Sequence, residues 1–251
     1  MIREAAMRAG HGRDQLFRWR GREVSRLEGF SDAVFGFALT LLVVSLEVPR
    51  TFGELRLLVW ELPAFAVCFL ILFGTWNGHY TFCRRYGLVD GPTRALTGVL
   101  LFLVLFYVYP LKFLWSFLFG AVLVNTGWLP ADIEQELTAR IKPMLTEHDA
   151  AHVMVLYSSG YLAVMATFAL MYLQAARRRA ELALDEVEAY VTRWSTRFYA
   201  AQAAVAALSI AIAASGHAAL AGWSYFLMFP LGFGYGRRLH KVVARIRASA
   251  A

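Results

Sequence analysis

Ser31 and Asp32 interrupt an apolar run, residues 26–49, that reads RLEGFSDAVFGFALTLLVVSLEVP, with Arg26 just ahead of them. A carboxylate inside a membrane-length helix is costly, so such groups face a bundle interior or a water path and mark a functional site. Residues 72–86, LFGTWNGHYTFCRRY, close a second apolar run and place Trp76 and His79 three apart on one helical face, at the depth of Asp32. An aspartate accepts hydrogen bonds from indole and imidazole N–H groups, Arg26 can neutralise it, and histidine changes charge near neutral pH. The pattern predicts a polar network of Arg26, Ser31, Asp32, Trp76 and His79 that fixes helix packing at one end, or a proton-handling pair built on Asp32 and His79.

Ser31 and Asp32 could instead cap a helix start. A helix beginning at Ala33 would then fall short of the roughly 20 residues a span requires, so a start near Leu27 is expected. At 100° per residue, Phe37, Leu41, Val44 and Val48 fall on one narrow stripe, Thr40 lies beside it, and Asp32 sits about 140° from Phe37. The two surfaces must meet different neighbours: one a helix contact, the other lipid, core or the lumen of a pore.

The elements that position these residues follow from composition. Of 251 residues 59% are hydrophobic and 15% aromatic, which is too apolar for an ordinary soluble domain. An all-α integral membrane protein is expected, with six transmembrane helices near 29–48, 60–80, 96–119, 151–174, 198–215 and 218–235. Segment 1–28 reads as a basic cytoplasmic arm, 29–238 as the six-span domain and 239–251 as a basic tail. An outer connection at 121–149 should hold a short surface helix before Pro143. An inner one at 175–197 should prolong the fourth span, with charged turns paired as Arg177 with Glu181. With both termini inside, 20 of the 25 Lys and Arg residues fall on the cytoplasmic side, as short cytoplasmic loops require. Lys112 can snorkel from the outer end of the third span. The formal charge of +7 therefore reports topology, and a nucleic-acid partner is excluded because the basic residues flank spans.

Other motifs lead nowhere. Gly232-Phe233-Gly234-Tyr235-Gly236 imitates a potassium filter, but no following helix can hold it as a loop between two spans. His148 and His152 share a helix face without a third ligand, so no metal or cofactor is expected. Cys68 and Cys83 give no disulfide framework. No nucleophile elbow, phosphate loop or pair of intramembrane acids is present, and an enzyme is not expected.

Arg26, Phe30, Ser31 and Asp32, the apolar helix with Thr40, and the Trp76 and His79 that close the second span together resemble the transmembrane protein 175 family of potassium channels. The resemblance is specific over residues 26–86 and rests on span count and topology beyond the third span. It implies a potassium channel in a prokaryotic inner membrane, built as a homotetramer whose first helices line a central pore, with potassium as the permeant ion and the bilayer as surroundings. It also implies a hydrophobic constriction of Phe37, Leu41 and Val44, with Thr40 contributing to selectivity. Phe37 departs from the leucine or isoleucine usual there, and a ring of phenylalanines would narrow the path or present π-faces to a cation. The competing readings are a proton-conducting or proton-coupled protein and a non-conducting membrane scaffold.

Overall fold

The computed structural model describes residues 17–21, 23–46, 48–144 and 149–249, and their regular structure is helical. Helix α1, Arg26–Val44, starts where Ser25 accepts the backbone N–H of Glu28 at 3.1 Å, so the cap lies nearly two turns before Ser31 and Asp32. Helix α2, Phe52–Tyr86, is capped by Thr51 and ends on Gly87, whose φ of 60° suits a residue without a Cβ. Helix α3, Gly91–Thr126, follows after Asp90 with Pro92 in its first turn, where a missing N–H costs nothing. α2 and α3 have 35 and 36 residues, far more than the expected windows, and at 1.5 Å per residue each outruns a hydrocarbon core of about 30 Å.

Helix α4, Ala131–Ile141, is the surface helix expected before Pro143, and its Ile133 and Leu137 pack on Leu57 and Leu129. Helices α5, Asp149–Arg177, and α6, Glu186–Ala214, form the second half of the bundle. The inner connection differs from expectation. α5 stops at Arg177, a turn follows through Ala183 at φ 44°, and a capping box of Asp185 and Glu188 restarts the chain as α6. Two separate signals, a left-handed residue and a reciprocal cap, end one helix and begin the next where the charge pattern alone suggested continuity. Arg178, and not Arg177, meets Glu181 at 4.0 Å, and it also pairs with Asp90 at 3.2 Å.

Among the described residues five helices, α1, α2, α3, α5 and α6, are long and apolar enough to cross a membrane. The sixth expected window, 218–235, is helical but divided into α7, Ala218–Ser224, a 3₁₀ turn at Tyr225–Leu227, and α8, Met228–Ser249. A serine chain holds α7 in place: Tyr225 donates to Ser158, Ser158 to Ser209, and Ser209 to the carbonyl of Ala221, all within 3.0 Å. The GFGYG stretch lies inside α8 as helix. The main core joins α1, α2, α3, α5 and α6 through Phe35, Leu72, Leu100, Phe168, Met171 and Val191. Gly160 admits the Tyr107 ring, which lies where any Cβ would stand. Both cysteines are free and buried.

The described part of the basic arm, residues 17–21, packs against the helices. Phe17 is buried and meets Tyr86 edge-on at 5.2 Å. Glu188, 1% exposed, accepts from the backbone N–H of Arg18 at 2.7 Å and from the Arg20 guanidinium, one nitrogen at 3.1 Å. The same guanidinium donates to the carbonyls of Leu182 and Ala183 at 2.7 and 3.1 Å, holding the left-handed turn closed. A buried carboxylate so supplied is costly to disturb from either side. Removing one partner of such a pair costs about 3–5 kcal/mol, so Glu188→Ala should lower the thermal unfolding midpoint in detergent by many degrees. An unchanged midpoint would mean that the segment is not docked.

Candidate functional site

Helix α1 has two faces of opposite character. Glu28, Ser31, Phe35, Ala38 and Leu42 are buried, and their spacing of three and four residues gathers them on one stripe against the chain's own core. On the other side Phe30, Phe37, Val43 and Val44 are 63%, 68%, 53% and 69% exposed. Gly29, Asp32, Ala33, Gly36 and Thr40 are exposed with them. By helix arithmetic the bare face covers about 160°, with Gly29, Ala33, Gly36 and Thr40 along its middle, Phe37 and Val44 toward one edge and Asp32 at the other. A Cβ added to Gly29 or Gly36 would meet nothing within 4 Å, so another helix can approach closely there. Of the expected stripe, Phe37, Thr40 and Val44 are open, while Leu41 is half-buried and packs at the margin of the core. Thr40 donates its hydroxyl to the carbonyl of Gly36 at 2.9 Å, leaving oxygen lone pairs on the bare face.

The structure divides the five polar residues that the sequence groups together. Trp76 donates its indole N–H to Asp32 at 2.7 Å, and its ring lies between Phe73 and Tyr80 at 5.4 and 5.5 Å. His79 does not join them. It is 1% exposed and turns toward Thr97 at 3.3 Å and the Cys83 sulfur at 3.8 Å. Residues three apart share a broad face yet differ by about 60° around the axis, enough to send Trp76 to α1 and His79 into α3. Among the described residues no hydrogen bond joins Asp32 to His79. Ser31 is buried and donates to the carbonyl of Leu27 at 2.8 Å. Arg26 is exposed, and no ion pair joins it to Asp32 among the described residues.

The charge that α1 does bury is Glu28, which the sequence reading missed. It is 3% exposed, with Arg84 at 3.1 Å. That distance is an ion pair, although the Glu28 oxygen is not aligned as a hydrogen-bond acceptor. Arg84 also donates to the carbonyl of Gly21 at 3.0 Å, and its own carbonyl receives the N–H groups of Arg20 and Gly21. The acid at i−4 from Asp32 and the arginine pair ending α2 were the available signals. At the opposite end Lys112 donates to the carbonyl of Ser45, placing a cation where the α1 dipole is negative. A polar cavity of about 920 Å³ opens there, with Arg50, Glu54, Glu136 and Arg140 on its walls.

Among the described residues no three His, Cys, Asp or Glu side chains gather as metal ligands. His152 lies in α5, and His148 falls outside the described residues. Among the described residues the Asp32 and Trp76 bond is the one direct polar link between the open side of α1 and α2. Asp32→Ala should loosen it by about 1 kcal/mol and Asp32→Asn by less, since the amide keeps an acceptor oxygen. Thermal unfolding of both variants in detergent checks the order; equal midpoints for Asp32→Ala and the native chain would contradict it.

Residues 26–107, covering α1, α2 and half of α3, match the family model described as endosomal/lysosomal potassium channel TMEM175. A potassium channel from Marivirga tractuosa is 34% identical over 241 residues, 94% of this chain and 95% of the relative. A potassium channel from Chamaesiphon minutus is 33% identical over 104 residues, 38% of this chain and 51% of that relative. Among solved structures, a threonine-to-alanine variant of the potassium channel MtTMEM175 in complex with a nanobody–MBP fusion matches with a TM-score of 0.78 at 33% identity, over 90% of this chain and 97% of that one. Family model, near full-length relative and fold agree, and the chain belongs to the TMEM175 family of potassium channels.

Proposed function

We propose that four copies of this chain form a channel that passes potassium down its gradient, with the open face of α1 from each copy surrounding one axial path. The observation that carries this reading is the composition of that face. It exposes a carboxylate, a threonine hydroxyl and two glycines beside large apolar side chains. Lipid would leave the acid unsolvated, whereas a neighbouring α1 and a water path accommodate all of them. Gly29, Ala33 and Gly36 support contact between copies, and Phe37, Leu41 and Val44 form the constriction with Thr40 beside them.

In this arrangement α7 and α8 complete a sixth crossing as a broken helix. Both termini lie in the cytoplasm of a prokaryotic cell, and the membrane is its inner membrane. The distribution of arginines supports that orientation. Asp32 with Trp76, and Glu28 with Arg84, tie the cytoplasmic end of each pore helix to α2. A ring of apolar side chains controls permeation by wetting, without offering ion ligands.

Purified channel in potassium-loaded liposomes tests the reading. Native protein should release potassium. Phe37→Ala should raise the rate several-fold by widening the narrowest ring, and Phe37→Trp should lower it. No release from any of the three, or release indifferent to residue 37, would overturn the proposal.

A further inference from the structure

Between α6 and α8 runs a groove of about 390 Å³ walled by Trp194, Phe198, Leu231 and Tyr235, with Arg197 and Arg238 also lining it. The aromatic wall is fixed in place. Trp194 stacks on Tyr235 at 5.7 Å and donates its indole N–H to the Tyr235 carbonyl at 3.2 Å. Phe198 meets the same ring at 4.2 Å, and the Tyr235 hydroxyl lies 3.0 Å from Ser195. The two arginines are exposed. Among the described residues neither side chain takes part in an ion pair or hydrogen bond, and no acidic residue lines the groove. Arg237, next to Arg238, is held over the Phe233 ring at 4.1 Å and points elsewhere.

The groove sits where α8 changes character. Toward its start Phe229 and Phe233 are 74% and 63% exposed, as lipid-facing side chains are. Beyond Tyr235 the helix carries Arg237, Arg238, Lys241, Arg245 and Arg247. A site at that boundary, apolar along its wall and doubly positive, matches a molecule that is apolar along its length and anionic at one end. Guanidinium groups bind phosphate oxygens through paired, charge-assisted hydrogen bonds. Basic pockets between membrane helices recognise anionic headgroups in the same way.

We propose that this groove binds an anionic phospholipid, with its phosphate between Arg197 and Arg238 and an acyl chain along Trp194, Phe198 and Tyr235. The site is separate from the α1 face and does not depend on what passes along it. Native mass spectrometry of the full chain in non-ionic detergent, with phosphatidylglycerol or phosphatidylcholine of matched chains, tests it. Phosphatidylglycerol should remain bound more than phosphatidylcholine. The double variant Arg197→Gln with Arg238→Gln should weaken its retention about tenfold, to the phosphatidylcholine level. The variant Arg193→Gln with Lys241→Gln, which loses the same charge outside the groove, should retain the lipid as the native chain does. Equal retention of the two lipids, or equal loss in both variants, would overturn the site. Displacement of the lipid by millimolar inorganic phosphate would overturn its assignment to a lipid in favour of a free anion.

Discussion

A single chain can cover only one side of its first helix, and the remaining organisation answers to that constraint. Phe35, Ala38 and Leu42 are wholly or almost wholly enclosed by the chain's own α2, α3 and neighbouring helices, while Phe37, Thr40 and Val44 meet nothing of comparable extent. The polar contacts at the two ends of α1 fix its rotation. Glu28 and Asp32 reach Arg84 and Trp76 of α2 at one end, and Ser45 receives Lys112 of α3 at the other. With rotation pinned at both ends, the side chains of the open face keep constant directions, which an axial path made by several copies requires. In the proposed channel the apolar residues then set the aperture without making a polar bond of their own.

Charge is handled by the same economy. Glu188 and Glu28, the two acids enclosed in the described fold, each lie against an arginine, and both clusters converge on residues 17–21. Arg20 supplies Glu188, and the backbone of Arg20 and Gly21 binds the Arg84 carbonyl. A short piece of chain outside the helices thereby links the end of α2 to the start of α6. Buried ion pairs are weak sources of stability but expensive to leave half-made, so this link specifies one arrangement of the two halves of the bundle.

Much of this was legible in the sequence because it rests on local rules. Length and apolarity identify the long helices, and turn arithmetic places Phe37, Thr40 and Val44 together. Matching depths in two antiparallel runs bring Trp76 to Asp32. The failures have a common cause: they depend on side-chain direction or on partners far along the chain. His79 shares a face with Trp76 in a helical projection but turns to Thr97, and a linear pattern cannot distinguish those directions. Glu188 and Arg20 are 168 residues apart, so nothing near either one announces the other. The break after Arg177 was hidden by residues of good helix propensity, and it is set by the Asp185 capping box and the turn that Arg20 closes. The interruption between α7 and α8 is a tertiary effect of the same kind, held by serines on two other helices.

In the proposed channel the exposed side of α1 faces the ion path and the enclosed side does not. Two cysteine substitutions two residues apart separate these sides. Thr40→Cys and Ala38→Cys channels, recorded in planar bilayers before and after a positively charged methanethiosulfonate reagent, give the most direct measurement, since the native Cys68 and Cys83 are buried. Modification should block current through Thr40→Cys and leave Ala38→Cys and the native channel unaffected. Block at Ala38→Cys with none at Thr40→Cys would contradict it.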